Sequence, residues 1–347
     1  MAKKEKDPRV GIVGGQAVLE GVMMKSGERC SLAVRTEEGI VIDNTKETSL
    51  RKKYKICNIP IIRGCVSFVE QLFSAMKMLT KSADMQGIDL DEPETKFEKW
   101  LNEKLGDKLM AVVGGIGMIL GIVLAMGLFL LLPTYTAKGI DWLAGGFISQ
   151  YSILFSLIEG LIRIAIFVAY VWLVSFMPDI RKTYEYHGAE HKSVDCFEKG
   201  LPLTPENAKT CTRFHPRCGT SFIFVVLIIS IIVNSFFEID NTAIRFASKL
   251  ITIPLIVGVG FEFIKYAGGH NNILTKILSA PGLWMQRITT REPDEAQLEV
   301  ALTALKNAIP EEFGGIDEPN YDPETKKMVK KSAETTEPED TASEDAE

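Results

Sequence analysis

The chain has 347 residues, of which 46% are hydrophobic and 24% charged, and its formal net charge is −6. This length predicts two or three folding units, and the uncharged apolar segment from Leu109 to Leu132 can cross a hydrocarbon core about 30 Å thick, which excludes a purely soluble enzyme. A strongly acidic protein is also excluded, because the acidity is local: segment 311–347 holds 13 Asp and Glu against 4 Lys.

The first unit, residues 1–62, is predicted to be a cytoplasmic, glycine-rich unit that contains β-structure. Ser31 to Arg35 and Ile40 to Asp43 alternate or are β-branched, and Glu37-Glu38-Gly39 between them is typical of a turn. The stretch from Gly14 to Gly21 lacks the Gly-Lys-Ser/Thr ending of a P-loop and has no Rossmann pattern around it, so as a bare pattern it indicates a turn. No cleavable signal peptide is expected before it.

Residues 63–108 are predicted to form a cytoplasmic amphipathic helix followed by a linker. Arg63 to Ala83 has an apolar side at helical spacing. This pattern does not distinguish a helix on the membrane from a helix on the β unit. Asp84 to Thr95 is expected to be an acidic linker.

Residues 109–266 are predicted to form an α-helical multi-pass membrane domain of four transmembrane helices. Pro133 and Pro178 are expected to end the first two spans. Charged residues lie within the second and fourth spans, where long side chains can reach the interface or one another. The predicted spans are Leu109–Leu132, Ser152–Met177, Thr220–Phe237 and Ala243–Tyr266.

The charges of the connecting loops orient the predicted spans. Lys and Arg are concentrated before the first span, in loop 178–219 and after the fourth span, whereas the two other connections hold few. By the positive-inside rule, both termini and loop 178–219 face the cytoplasm. All six cysteines fall in these cytoplasmic segments, which predicts reduced thiols, free or bound to metal, rather than disulfides.

Residues 267–310 are predicted to form cytoplasmic or interfacial helices, and residues 311–347 a disordered acidic tail. The segment from Asn271 to Arg291 is expected to be broken at Pro281-Gly282, with Trp284 at the membrane interface. Pro293 to Ile309 has the pattern of an amphipathic helix.

Loop 178–219 holds three of the four histidines and the strongest candidate site. His187-Gly-Ala-Glu190-His191 places two imidazoles on one face of a helix beside a carboxylate. Two neutral imidazole nitrogens can hold a divalent metal, with zinc favoured, and Glu190 is a candidate general base for a metal-bound water. The order of residues is that of the inverted zinc-peptidase motif.

His215 and Cys218 are further candidate ligands, because they lie three apart across a proline turn. Gly200-Leu-Pro202 predicts the end of one helix and Thr204-Pro205-Glu206 the start of another, so the chain can fold back and bring both motifs together. Two alternatives stay open. In the first, the histidines bind no metal and are solvated or contact lipid headgroups. In the second, the metal is structural, and recruitment of Cys218 as a fourth ligand would favour this alternative.

Glu262 lies near the predicted cytoplasmic end of the fourth span, where an unpaired carboxylate is costly. Three roles are open for it: an ion pair with Lys265 or Arg163, a further metal ligand, and a place on a transport path. The ion pair is favoured.

Four motifs along the chain form a combination that is specific to one family. They are Gly14–Met24, Tyr186–Lys192, His215–Phe222 and Pro281–Pro293. With these motifs the chain resembles the YqhQ family, a bacterial multi-pass membrane family whose members are described as predicted metal-dependent enzymes. The resemblance covers about 10–309 and implies a protein of the bacterial cytoplasmic membrane. It supplies no reaction, and it gives no chemical role to the first and last motifs.

The leading hypothesis is a metal-dependent membrane hydrolase. In it, His187, His191 and either His215 or Glu262 hold the metal, and Glu190 activates water. Membrane peptides or lipid-linked compounds are the expected substrates, because the site lies against the bilayer. The runner-up is a non-catalytic scaffold or membrane-protein biogenesis factor with a structural metal.

A small transporter is the third hypothesis, since Glu159, Arg163 and Glu262 lie within predicted spans. The expected partners are membrane lipids and other membrane proteins, and a homo-oligomer is left open. Nucleic acid is not expected, because no basic surface interleaved with aromatic residues is visible in the sequence.

Overall fold

The computed structural model describes residues 9–87, 109–237, 241–267, 272–313, 320–322 and 327–328. Most of the predicted acidic linker and 29 of the 37 residues of the predicted disordered tail lie outside these residues. The described part of the tail includes regular elements at Pro310–Phe313, Tyr321–Asp322 and Lys327–Met328, contrary to the prediction of disorder there. The described part is mainly helical, with one antiparallel sheet near its N-terminal end.

The helices are, in chain order, α1 (Leu50–Lys53), α2 (Ile62–Met85), α3 (Leu109–Met126), α4 (Leu132–Leu143), α5 (Ser152–Val174), α6 (Pro178–Glu198), α7 (Pro205–Thr210), α8 (Gly219–Ser235), α9 (Thr242–Ala267), α10 (Ile273–Thr289), α11 (Glu295–Ala308) and α12 (Pro310–Phe313). A 3₁₀ turn covers Lys55–Asn58 and a π-helical turn covers Gly127–Leu131. The strands are β1 (Val13–Val18), β2 (Gly21–Ser26), β3 (Arg29–Thr36), β4 (Gly39–Lys46), β5 (Tyr321–Asp322) and β6 (Lys327–Met328).

The N-terminal sheet confirms the predicted β-structure and corrects one part of it. β1 to β4 form an antiparallel meander, and the predicted turn before Gly39 joins β3 to β4. The stretch from Gly14 to Met24, which by itself indicates a turn, instead forms the hairpin of β1 and β2. Gly21 is required in β2, because an added Cβ would lie 2.4 Å from the carbonyl oxygen of Ala33. The tight β1–β2 turn leaves Glu20 at a φ of 49°.

One face of the sheet packs against α6 and α11 and forms the largest apolar core of the described chain. The predicted amphipathic helix at 293–309 is confirmed as α11, whose N-cap Asp294 and Gln297 form a capping box. Each fully buried Val or Leu side chain in such a core stabilises the fold by about 1.5–3 kcal/mol. Members that are at most 1% exposed include Val22, Met24, Ala33, Tyr186, Ala189, Leu298 and Leu305.

The outer edge of the sheet is covered by a short returning segment of the chain. Asn320 accepts a hydrogen bond from the amide of Ile42 at 2.7 Å, and its side-chain amide donates to the carbonyl of Ile40 at 3.1 Å. The amide of Asn320 donates in turn to the carbonyl of Ile42. The edge strand β4 is therefore paired by backbone and side-chain groups from a position 278 residues away.

Among the described residues, three helical segments are long and apolar enough to cross a membrane: Ile119–Leu143, Ser152–Val174 and Ala243–Ala267. The fourth predicted span corresponds to α8, which is apolar but shorter. The sequence predicts that Pro133 ends the first span, and this prediction is wrong. A π-helical turn at Gly127–Leu131 precedes the proline, and the helix continues through Pro133 to Leu143. Pro133 has no N–H to donate to the carbonyl of Phe129, four residues earlier, and that carbonyl accepts a hydrogen bond from Arg163 at 2.9 Å instead.

Charged side chains inside these helices bind one another. Glu159 on α5 accepts hydrogen bonds from Arg163 at 2.7 Å and from Lys249, and the guanidinium of Arg245 lies 3.7 Å from its second oxygen. Arg163 also donates to the carbonyl of Phe129 in the π-helical turn, at 2.9 Å. The cluster thus joins α5, α9 and the turn.

Pro281 does not break the segment that follows α9. α10 is one helix from Ile273 to Thr289, contrary to the prediction of a break at Pro281-Gly282. The packing explains the continuity: an added Cβ at Gly282 would lie 2.5 Å from Cα of Ser221, so α10 and α8 are in backbone contact there. This contact holds the helix together across the proline.

The predicted amphipathic helix is confirmed as α2, which contacts both the sheet and α9. Met78 lies in the core under the sheet, whereas the N-terminal end of α2 packs on α9. There Gly64 faces Gly258, and an added Cβ on Gly64 would lie 2.9 Å from Cα of Gly258. The two ends of the helix therefore pack on different parts of the molecule.

We expect Gly64→Ala to lower the free energy of unfolding by about 1–3 kcal/mol, because backbone atoms of α9 leave no room for the methyl group. Thermal unfolding of the purified protein in detergent measures this effect. Gly139→Ala is the matched control, since Gly139 is helical and has no atom within 4 Å of the added Cβ. Equal melting temperatures for the two variants would contradict the α2–α9 packing.

Candidate metal centre

The helix α6 places the two histidines of the His-x-x-Glu-His motif on one face. The ring centroids of His187 and His191 are 4.4 Å apart. The helix is held close to the segment after α10 by Gly188, where an added Cβ would lie 1.9 Å from the carbonyl oxygen of Arg291. The imidazoles are therefore presented from a rigid, tightly packed element.

Backbone carbonyl groups fix the orientation of both imidazole rings. Nδ1 of His187 lies 2.9 Å from the carbonyl oxygen of Thr289, and Nδ1 of His191 lies 2.6 Å from that of Arg213. A carbonyl oxygen only accepts, so Nδ1 carries the proton and donates in each ring. Nε2 is then the nitrogen with a free lone pair, which is how metal-ligating histidines are commonly oriented.

Cys218 brings a sulfur atom to the same place from the N-cap of α8. Its Sγ lies 3.3 Å from Nε2 of His187, and the ligand atoms of His187, His191 and Cys218 all lie within 4.8 Å of one another. Zinc bonds of about 2.1 Å to nitrogen and 2.3 Å to sulfur in tetrahedral geometry separate neighbouring ligand atoms by about 3.5 Å. The donor set and its spacing therefore fit zinc or another borderline divalent ion.

Burial favours the protonation states that such a site needs. Burial lowers the pKa of His191, which keeps its ring neutral and able to bind a cation. Three protein ligands would leave a fourth position of a tetrahedral ion open, as in catalytic zinc sites. The described residues supply no further His, Cys or carboxylate atom within this cluster.

Glu190 lies beside the three ligands and is almost completely buried. Its carboxylate is 4.0 Å from Nε2 of His187, and only 7% of the residue is exposed. Burial raises its pKa, while the nearby His187 and His215 oppose the shift. Gly15 of β1 makes room for it, because an added Cβ there would lie 2.9 Å from Cγ of Glu190.

His215 lies near the ligands but is turned to other partners. Its ring centroid is 5.6 Å from that of His191, and its Nε2 accepts a hydrogen bond from Arg217 at 3.1 Å. Arg217 also pairs with Glu198, whose oxygen lies 3.8 Å from the same nitrogen. Ligation by His215 stays a prediction, because neither of its ring nitrogens belongs to the group of ligand atoms that His187, His191 and Cys218 form among the described residues.

Glu262 is placed on α9, where both of its carboxylate oxygens accept from the guanidinium of Arg63. An ion pair is therefore present at Glu262, as the sequence favours, but with a partner from α2 instead of Lys265 or Arg163. No described contact links Glu262 to His187, His191 or Cys218.

The motifs Gly14–Met24 and Pro281–Pro293, to which the sequence gives no chemical role, both contact residues of the candidate centre. Gln286 of α10 accepts from the amide of His215 and donates to its carbonyl, both at 2.7 Å, while Thr289 supplies the carbonyl for His187. Gly15, from the first motif, adjoins Glu190. The family pattern is the only sequence signal for these contacts of Gln286, Thr289 and Gly15. None of the three is a residue type that usually binds a metal.

Comparison with known proteins gives a family match over residues 59–311, to a family described as proteins of unknown function (DUF1385). The chain is also 31% identical over 298 residues to a Bacillus subtilis (strain 168) protein named "Uncharacterized protein YqhQ". That alignment covers 85% of this chain and 92% of the relative. No solved structure matches the chain.

We expect protein purified in detergent without chelators to carry about one divalent ion per chain, and His187→Ala/His191→Ala to carry less than about one tenth of that, since two of three donors are lost. Elemental analysis by mass spectrometry measures the ratio. Cys211→Ser is the control, because Cys211 is a buried thiol outside the cluster. Equal metal content in the double variant and the control would contradict the centre.

Proposed function

The chain belongs to the YqhQ family of proteins of unknown function (DUF1385), and we propose that it is a metal-dependent hydrolase acting at the membrane surface. The observation that carries the proposal is the convergence of His187, His191 and Cys218 beside the buried carboxylate of Glu190. Two imidazoles and one thiolate leave an open position, and a carboxylate next to that position is the arrangement that hydrolytic chemistry needs.

When bound, a divalent cation would supply Lewis-acid chemistry. Glu190 takes the proton from the attacking water, a role that suits a carboxylate whose pKa is raised by burial. His187 and His191 need no rotation, because Thr289 and Arg213 already hold their rings. Packing of β1 over Glu190 at Gly15 keeps bulk water from that side.

The proposed setting is the bacterial cytoplasmic membrane. In this proposal α8 serves as a fourth, short span beside the three longer apolar helices. Both termini face the cytoplasm, as the charges of the connecting loops predict. Cys218 is the N-cap of α8 and so lies where that helix would enter the bilayer. Zinc is the proposed ion, and a membrane peptide or a lipid-linked compound the proposed substrate.

A second candidate function is a scaffold or membrane-protein biogenesis factor in which the metal is structural. The observation in its favour is that the centre joins separate elements: α6 supplies the histidines, α8 the cysteine, and the end of α10 a carbonyl. A cation at that junction would stabilise the fold without chemistry. In that case the carboxylate of Glu190 would be dispensable.

We expect Glu190→Gln to abolish turnover while metal content stays within about twofold of wild type, because the carboxylate is a proton acceptor and not one of the three ligands. Lipids and membrane peptides are extracted from a strain that lacks the gene and from the same strain expressing each variant, and then compared by mass spectrometry. Compounds that accumulate without the gene should also accumulate with Glu190→Gln and disappear with wild type.

Glu206→Gln is the matched control, since Glu206 is an exposed carboxylate on α7 in the same loop. It should behave as wild type. If Glu190→Gln also clears the accumulated compounds while His187→Ala lowers the amount of folded protein, the metal is structural and the second candidate function replaces the first.

A further inference from the structure

A second polar feature is a cleft of about 490 Å³. It adjoins the candidate metal centre at Arg213, which lines the cleft and whose carbonyl contacts His191. It is formed where the end of α5, the start of α6 and the end of α10 meet. Its charged lining consists of four arginines and two glutamates: Arg181, Arg213, Arg287, Arg291, Glu185 and Glu292.

The carboxylates do not balance the arginines. Glu185 pairs with Arg181 at 3.3 Å, and Glu292 lies 3.5 Å from Arg213. Arg287 and Arg291 have no carboxylate partner within the described part of the chain. The cleft therefore holds two more positive than negative side chains.

Arg291 has donor capacity that the protein does not use. One terminal nitrogen donates to the carbonyl of Ser175 at 3.2 Å, but its Nε is buried and has no hydrogen-bond partner among the described residues. Nε is out of reach of a ligand, but the other terminal nitrogen makes no hydrogen bond among the described residues and can donate one into the cleft. Arg287, four residues earlier in the chain, is exposed at the cleft.

The cleft lies at the end of an apolar span. Trp172 and Phe176 line it, and both are exposed, at 51% and 63% of their surface. Their rings meet edge to face, with centroids 4.9 Å apart. Aromatic side chains at the end of an apolar helix are typical of the membrane–water interface, where lipid headgroups lie.

We propose that this cleft binds the phosphate headgroup of an anionic membrane phospholipid. Guanidinium groups bind phosphate oxygens in a forked geometry and stay charged at all physiological pH values. Basic pockets at the interface between helices are suited to anionic lipid headgroups. A lipid is favoured over a free phosphate ester because the exposed Trp172 and Phe176 give acyl chains an apolar surface beside the arginines.

The lipid would lie next to the metal centre. Arg213 lines the cleft, while its carbonyl oxygen holds the ring of His191. Thr290, another cleft residue, follows Thr289, whose carbonyl holds His187. This substrate assignment rests on the proposed hydrolase function: if that function holds, a phospholipid or lipid-linked phosphate is the substrate class. Binding of the lipid does not depend on the metal.

The test uses full-length protein purified in detergent and supplied with phosphatidylglycerol, and native mass spectrometry counts the lipids retained per chain. Wild type should retain one, and Arg287→Ala/Arg291→Ala should bind at least about tenfold more weakly, because two charge-assisted contacts are lost. Arg287→Ala alone, a change at an exposed side chain, should weaken binding without affecting the fold. Lys52→Ala/Lys53→Ala is the control that removes the same charge elsewhere.

Equal retention by wild type and both cleft variants would overturn the proposal, as would equal retention of a glucosyl diacylglycerol, which has no phosphate. Glycerol phosphate without acyl chains should not compete at the concentrations where the lipid binds. If it binds as tightly as the lipid, the ligand is a soluble phosphate ester and the lipid is excluded. Retention by His187→Ala/His191→Ala separates this result from failure of the metal centre.

Discussion

The orientation of two imidazole rings depends on two backbone carbonyls that come from different parts of the chain. Arg213 lies in the connection after α7, and Thr289 is the last residue of α10. Neither carbonyl can be replaced by a side-chain substitution, so the candidate metal centre depends on how the backbone is placed. The position of α10 against α6 and α8 is therefore the constraint from which the site follows.

That placement is set by contacts that leave no room for a side chain. Gly188 meets the carbonyl of Arg291, Gly282 meets Ser221, and Gly15 meets Glu190. Each glycine lies in one of the family motifs, although none carries chemistry. The motifs at 14–24 and 281–293 are thus explained as packing surfaces that bring a sheet and a helix into contact with the elements that carry His187, His191 and Cys218.

Local patterns predicted local structure well. The i,i+4 spacing of His187 and His191 predicts one helical face, and Thr204 predicts the start of α7, because both depend only on the geometry of a few neighbouring residues. The strands at Gly14–Met24 and the continuity of α10 through Pro281 depend on distant partners, which periodicity does not reveal. The same holds for Glu262, whose partner Arg63 is 199 residues away. The approach of Cys218 to His187, in contrast, is expected from the helix stop and start signals between the two motifs, and the two atoms lie 3.3 Å apart.

The returning segment at Asn320 affects the tendency of the protein to self-associate. An uncovered edge strand exposes backbone groups that can pair with the same strand of another molecule. By occupying Ile40 and Ile42, Asn320 closes part of β4 to such pairing. A chain shortened to residue 313 would keep the helices and the residues of the candidate metal centre, yet it would uncover this edge and become prone to self-association through the sheet.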